Sequence, residues 1–372
     1  MSLKDQAQKI LSKAGVTING DKPWDIQVHD DRLYGRIFRE GTIGLGEAYM
    51  DGWWDAPALD QFFERVIMSN AGDEAIPWIQ TFIAKVMHGF FNRQSRARAF
   101  EVGEKHYDIG NDLYSRMLGK RMVYTCAYWK DAQTLDEAQE AKLDLICRKI
   151  GLKEGQRVLD IGCGWGSFAK FAAEKYGATV VGVTISVEQA KLARELCEGL
   201  PIEIRVQDYR EVNEKFDHIV SIEMFEAVGS KNFREYMEVV SRCLKPGGLF
   251  LLQTIGAVDS SLATTTDAWV DRYIFPNGML PSIAQIGKSI EGLLMVEDLH
   301  NFGFDYEKTL LAWNDNFQAA WPDLKEKYGD RFKRMWEYYL LQFVGAFRCR
   351  RNQDWQIVFS AKGVPGGYEA VR

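Results

Sequence analysis

The sequence predicts an α/β fold: a mostly parallel sheet with helices on both faces, joined to a small, mainly helical N-terminal domain. Three features lead there. Apolar runs of strand length alternate with helical stretches from residue 158 onward, the runs are apolar almost throughout, and the first ends in an acid followed by three alternate glycines. Strands without polar alternation are buried on both faces, as in a parallel sheet. The apolar run that ends in Asp160 is the first strand, and Phe168–Ala173 belongs to the helix after it. Thr179–Thr184 is the next strand, followed by Ser186 as N-cap of a helix over Val187–Cys197. Ile202–Val206 and Phe216–Ile222 are strands, and a helix is expected near Asn232–Cys243. Lys245-Pro246-Gly247-Gly248 reads as the turn that leads into the strand Gly247–Ile255. Ligands of such sheets lie beyond the carboxyl ends of the strands, where Asp160, Thr184, Asp208, Glu226 and Gln253 should gather.

The glycine turn carries the first chemistry. In Val158-Leu159-Asp160-Ile161-Gly162-Cys163-Gly164-Trp165-Gly166-Ser167, the glycines let a ligand lie against backbone amides where a helix begins. The dinucleotide fingerprint is Gly-x-Gly-x-x-Gly, and here the third glycine comes one residue early. The second strand closes on Thr184, where an acid would grip a dinucleotide's ribose. Hydride transfer therefore fits poorly. The stretch resembles motif I of the S-adenosylmethionine (SAM) methyltransferases, whose acid and glycines face the ribose and methionine parts of the cofactor. Taken alone it is also compatible with a purely structural turn.

A chain of 372 residues has room for two domains with substantial cores. Its net charge of −6 argues against a nucleic-acid binder that works by general electrostatics. Cysteines at 126, 147, 163, 197, 243 and 349 include no Cys-x-x-Cys pair, which favours a reducing cytoplasm over zinc or a disulfide framework. No apolar leader and no apolar run of membrane-spanning length stands in the sequence, so a soluble, unexported protein is expected.

Residues 1–92 are expected to form the N-terminal domain, 93–100 a linker and 101–372 the catalytic domain. Apolar and aromatic residues after Asp55 recur at helical spacing, as a small helical core requires. From Lys85 to Arg98 there is no acid, and Lys85, Arg93, Arg96 and Arg98 stand beside Ile83, Met87, Phe90 and Phe91. Such a segment either seats a helix on an anionic membrane surface or is a solvated linker.

Further motifs flank the turn. Glu104-Lys105-His106-Tyr107-Asp108-Ile109-Gly110-Asn111-Asp112 and Met122-Val123-Tyr124-Thr125-Cys126-Ala127-Tyr128-Trp129 precede it; Phe225-Glu226-Ala227-Val228-Gly229 and Tyr273-Ile274-Phe275-Pro276-Asn277-Gly278 follow. Together they resemble the cyclopropane-fatty-acyl-phospholipid synthases, relatives of the mycolic acid cyclopropane synthases, over essentially the whole chain. Tyr49-Met50-Asp51-Gly52-Trp53-Trp54 resembles the two-domain bacterial phospholipid type.

The resemblance implies transfer of a methylene from SAM to the cis double bond of a phospholipid acyl chain. An alkene is a weak nucleophile, so the sulfonium methyl must be held in line with the π bond. A carbocation results, which an aromatic face stabilises without trapping it. Tyr273, Phe275, Tyr306, Trp313 and Tyr339 are candidates for that lining, and each also reads as ordinary core packing. Bicarbonate would then take the proton whose loss lets the ring close. By resemblance its ligands are Cys126 and Ile255 through backbone groups, Glu226 and Tyr306 through side chains, and the residue at 253. A bicarbonate hydroxyl can donate to Glu226, which orients the ion. Glu226 also reads as a helix cap or surface acid, and Cys126 as a small buried apolar residue; nothing marks Cys126 as a nucleophile.

Two positions depart from the family pattern. Gln253 stands where familiar members have histidine, and Ala227 where a histidine often follows the glutamate. Glutamine donates a hydrogen bond but carries no charge. A C-methyltransferase that leaves a methyl-branched chain thus stays open, as do a methyltransferase for a small soluble acceptor and a silent lipid-binding scaffold. For SAM the resemblance points to Tyr124 and Thr125 at the methionine end, and to Asp160, Gly162, Cys163, Gly164, Trp165, Gly166 and Ser167 along ribose and methionine. Thr184 through Gln189 would face ribose and adenine, with Tyr209 and Arg210 near the adenine ring. It also implies a homodimer, peripheral at the inner membrane surface, and no metal ion.

Overall fold

The computed structural model describes residues 1–70, 110–260 and 267–372. The basic stretch Lys85–Arg98, the expected linker at 93–100 and the 104–109 part of the first flanking motif lie outside the described residues. The chain forms two compact units. One lies within Met1–Phe91, Thr265–Pro276 and Tyr306–Asn352, the other within Asn92–Thr264, Asn277–Asp305 and Gln353–Arg372. The division is therefore not the single cut expected at 93–100. Two later segments join the N-terminal residues because shared apolar contacts, not chain order, decide which residues build one core.

The larger unit holds the sheet. Its strands are β1 Arg157–Ile161, β2 Thr179–Thr184, β3 Ile202–Val206, β4 Phe216–Ile222, β5 Leu244–Ala257, β6 Met295–Asn301 and β7 Asn352–Ser360. They lie side by side in the order β3-β2-β1-β4-β5-β7-β6. The pairs from β3 through β5 are parallel, and β6 runs antiparallel to β7. The helices are α1 Asn111–Met117, α2 Leu135–Lys149, α3 Ser167–Tyr176, α4 Val187–Leu196, α5 Phe233–Cys243 and α6 Ile283–Ile290. Successive strand residues serve opposite faces. Val158, Val180, Val220, Leu251 and Val358 pack with Ile146 and Phe168, whereas Leu159, Val181, Ile219, Phe250 and Ile357 pack with Tyr236, Met237 and Ile286. That two-sided burial is why the strands read as unbroken apolar runs. Strand order reverses between β1 and β4, and the crevice at such a reversal is where a ligand fits.

The three strands read with definite bounds up to residue 222 fall where the sequence placed them, and the one after them does not begin as expected. Lys245–Gly248 is not a free turn: β5 starts at Leu244, which pairs with Phe216, and the register slips before His218 meets Leu249. Gly247, at φ 77°, supplies the left-handed residue of this bulge.

The smaller unit is built on helices over Leu3–Lys13, Arg32–Glu40, Thr42–Met50, Leu59–Met68 and Ala268–Tyr273, with the helical run that ends at Arg348. Gly329, at φ 75° and ψ 160°, breaks that run. Aromatic rings fill the core: Trp269 lies 4.5 Å from Tyr338, Phe63 4.9 Å from Tyr338 and Tyr49 5.1 Å from Trp54. Trp54 Nε1 donates to the Leu45 carbonyl at 3.0 Å, and Arg334 donates to the Trp54 carbonyl at 2.9 Å and to Asp55 at 2.7 Å. Part of the chain's high tryptophan content thus serves this core.

Gly46 makes room for one of those rings, since a Cβ there would fall inside the Trp269 indole. Gly46→Ala is expected to lower stability by about 1–3 kcal/mol, the usual cost of overpacking. Differential scanning calorimetry would show it as a lower unfolding midpoint.

Candidate active site

β1 delivers the glycine turn to the carboxyl edge. The N–H groups of Gly162 and Cys163 both donate to the Val183 carbonyl, at 2.9 and 3.1 Å, which ties the turn to β2. Gly162, Gly164 and Gly166 have φ of 83°, 53° and 79°. Two of the three are also needed for internal packing. A Cβ on Gly162 would run into Met224, and one on Gly166 would come within 3.0 Å of Cys197 Sγ. Among the described residues, and apart from its chain neighbours, the only atom within 4 Å of a Cβ on Gly164 would be Gln189 Nε2, at 3.9 Å. Space is open there, as close approach of a ligand to the backbone requires. Beneath the turn Asp160 is only 2% exposed, and burial pushes its carboxyl up to about 7, opposed by the charge of Lys142.

The flanks are held by their own hydrogen bonds. Ser186 accepts the Gln189 N–H at 3.2 Å and caps α4 as expected, while the Thr184 hydroxyl lies 3.4 Å from Gln189 Oε1. Arg210 donates to both oxygens of Asp208, at 2.9 and 2.6 Å, so Asp208 serves as its counter-charge. Tyr209 rests against Tyr236 with ring centres 5.0 Å apart. Trp165 donates to Asn111 Oδ1 at 3.1 Å and stands 5.0 Å from Tyr114, which lies 5.2 Å from Tyr124. The Ser167 hydroxyl bonds the Arg121 and Met122 carbonyls at 2.6 and 3.2 Å; its side chain anchors the segment before Tyr124.

A second cluster lies at the ends of β4, β5 and β7. Glu226 Oε1 accepts the Ile255 N–H and, at 2.9 Å, the Thr254 hydroxyl. Its Oε2 is buried and has no hydrogen-bond partner among the described residues. Burial, then the charge of Glu223, raises this carboxyl to about 8. The Cys126 N–H donates to Glu223 Oε1 at 2.7 Å, and burial pushes the thiol far above the ordinary thiol range, which suits a packed residue and not a nucleophile. Gln253 is fully buried; its Nε2 donates to Glu223 and Asp354, and its Oε1 accepts from Gln356. Lys142, also fully buried, donates to the Thr125 hydroxyl at 2.6 Å, and burial lowers its ammonium to about 8.

The structure thus brings Cys126, Glu226, Gln253 and Ile255 into one unit with the glycine turn. Tyr306 belongs to the other unit, where its ring stacks on Phe347 at 4.3 Å. Tyr273, Phe275, Trp313 and Tyr339 belong there too. Sequence reasoning missed Glu223, Asp354 and Lys142. For Lys142 a signal exists, because it follows Ala138 by four residues and precedes Leu145 by three, on the buried face of α2.

Comparison with known proteins agrees with this geometry. The family model for mycolic acid cyclopropane synthetase matches residues 94–357. The chain belongs to that family. It is 51% identical over 366 residues to the cyclopropane-fatty-acyl-phospholipid synthase of Escherichia coli (strain K12), covering 98% of this chain and 95% of that one. It is 34% identical over 357 residues to the tuberculostearic acid methyltransferase UfaA1 of Mycobacterium tuberculosis, covering 90% and 82%. Among solved structures, the mycolic acid cyclopropane synthase CmaA1 complexed with SAH and CTAB is 30% identical, with a TM-score of 0.65 over 70% of this chain and 97% of that one. The synthase resemblance and the methyltransferase fold read from the motifs are both borne out.

The raised Glu226 carboxyl has a sign that can be checked. It keeps its proton in the folded state up to about pH 8, whereas the unfolded chain loses it near the ordinary carboxyl value. Between those limits the folded state binds the extra proton, so this group lowers stability as pH rises. Glu226→Gln removes that slope. Its stability relative to the parent protein should improve from pH 5 to pH 8, by up to about 1.4 kcal/mol per pH unit, as thermal unfolding at both values would show.

Proposed function

We infer that the protein transfers a one-carbon unit from SAM to the cis double bond of an unsaturated phospholipid acyl chain and closes a cyclopropane ring. The observation that carries this reading is the 51% identity, over nearly the whole of both chains, to a cyclopropane-fatty-acyl-phospholipid synthase. The residues present suit SAM. Gly164 leaves its backbone open beside Gln189, and Tyr124, Thr125 and Asp160 belong to the same unit. Thr184 with Gln189 would hold the ribose, and Tyr209 with Arg210 would flank the adenine.

One feature, at Glu226, suits bicarbonate. When bound, it would supply the base for the proton that leaves the new methyl group. Glu226 Oε2 is buried and, among the described residues, unpartnered, on a carboxyl that holds its proton through neutral pH; it therefore donates an O–H to an anion, the reverse of the direction expected from the sequence. Cys126, Ile255, Tyr306 and position 253 are the further members by resemblance; of these, the Cys126 and Ile255 N–H groups are already held by Glu223 and Glu226, and the Gln253 amide by Glu223, Asp354 and Gln356. A second reading, C-methyl transfer that leaves a branch, is favoured by Gln253 in the place of histidine. Phospholipid reaches the enzyme at a membrane surface in this proposal; among the described residues no helix is long and apolar enough to cross one.

The test is purified protein with radiolabelled SAM and unsaturated phospholipid vesicles, with and without bicarbonate, followed by gas chromatography and mass spectrometry of the fatty acid methyl esters. Ring product that depends on bicarbonate is expected; a methyl branch would select the second reading, and label on soluble acceptors alone would overturn both. Gly164→Val should abolish SAM binding in calorimetry, because its side chain fills the open space. Glu226→Gln should cut ring formation about 10²-fold or more, the scale of a proton-handling group, with SAM affinity retained. Neutralising Arg93, Arg96 and Arg98 together should weaken sedimentation with anionic vesicles, most visibly at low salt.

A further inference from the structure

Glu223 has no part in the chemistry above, yet its surroundings are unusually specified. It leaves β4 with φ of +50°, a left-handed conformation that side chains adopt rarely and that recurs at functional sites. Its N–H donates to the Gln253 carbonyl at 2.8 Å. Its Oε1 accepts two bonds, from the Cys126 N–H at 2.7 Å and from Gln253 Nε2 at 2.9 Å. The same Nε2 donates to Asp354 Oδ2 at 3.1 Å, and Gln253 Oε1 accepts from Gln356 Nε2 at 3.0 Å. Gln253, Asp354 and Gln356 are all 0% exposed. Both protons of the Gln253 amide and its oxygen are thus engaged by protein groups.

The geometry points to Glu223 as a positioning residue: Gln253, locked by Asp354 and Gln356, holds Glu223, and Glu223 holds the Cys126 backbone. Gln253 then acts on the transfer through Glu223 and not as a ligand of the reacting groups. Lys142 pins the neighbouring Thr125 hydroxyl, so two adjacent residues of the segment proposed to face the sulfonium are fixed by buried side chains. Displacing that segment by an ångström would spoil the in-line geometry at a cost of about 10²-fold in rate. This assignment rests on the function proposed above.

Four variants test it: E223A, Q253A, their double, and E223Q. E223Q keeps an oxygen that can accept the Cys126 N–H. E223A and Q253A should each lower kcat about tenfold to a hundredfold with KM for SAM little changed. The double should be no worse than the poorer single, as expected for groups acting as one unit, and E223Q should retain most of the activity. Amide hydrogen exchange of the peptide containing Cys126 should quicken in E223A and Q253A but not in E223Q. Unchanged exchange, additive losses, or a bicarbonate requirement raised by Q253A alone would overturn the assignment; the last result would make Gln253 an anion ligand. Should E223A fail to fold, exchange in Q253A decides. Should the parent protein leave olefinic phospholipid untouched, the functional reading fails while the exchange comparison still judges the coupling.

Discussion

Removal of charge from water at the carboxyl edge of the sheet is the constraint on which the larger unit depends. Asp160 is the next-to-last residue of β1, Asp354 lies on β7 and Lys142 reaches in from α2, each 2% exposed or less. An isolated buried charge is costly, so such groups move toward neutrality or find partners. Here both happen. Burial raises Asp160, Glu226 and Asp354 and lowers Lys142, while Lys142 and the carboxylates partly offset one another. A region so arranged holds protons at neutral pH that ordinary carboxyls would release. That condition suits chemistry in which a cation forms in an acyl chain and one proton must leave.

The glycine turn shows why a motif and its purpose are not the same thing. All three glycines have positive φ, yet Gly162 and Gly166 are also required by Met224 and Cys197, which are parts of the protein itself. Of the three, Gly164 alone meets no close atom among the described residues. The spacing Gly-x-Gly-x-Gly therefore mixes two packing requirements with one that concerns a ligand, and only the middle position should be sensitive to what binds.

Much of this was legible in the chain. Strand bounds at 179–184 emerge directly because burial on both faces writes itself as a nearly continuous apolar run, whereas 202–206 alternates apolar with charged residues as an edge strand does. The Ser186 cap was readable for the same local reason. What was not legible depends on contacts distant in sequence. Residues 265–276 and 306–352 join the first unit through rings such as Trp269 and Tyr338, whose partner Phe63 lies far away in the chain. Glu223 escaped notice because its left-handed backbone and its bond to Cys126 have no signature in a single sequence. Lys142 could have been found, had its place on the apolar face of α2 been weighed against its charge.

Gln253 shows how one substitution in a buried network changes the problem to be solved. Its Nε2 donates to two carboxylates at once while its oxygen takes a third bond from Gln356. A neutral imidazole has one N–H and one acceptor nitrogen, an imidazolium one N–H on each nitrogen, and neither places two donors and an oxygen on one amide, so neither reproduces that pattern. With histidine, two acids would face a ring able to take a positive charge; with glutamine, they face a neutral bridge, and the nearby cation is Lys142. Lys142 comes from a different element, α2, and its ammonium interacts with Glu223 and Asp354. Because β7 delivers both Asp354 and Gln356, the last strand of the sheet completes a site whose first residues precede β1 by some thirty positions. Its integrity is then a property of the whole sheet, not of the glycine turn alone.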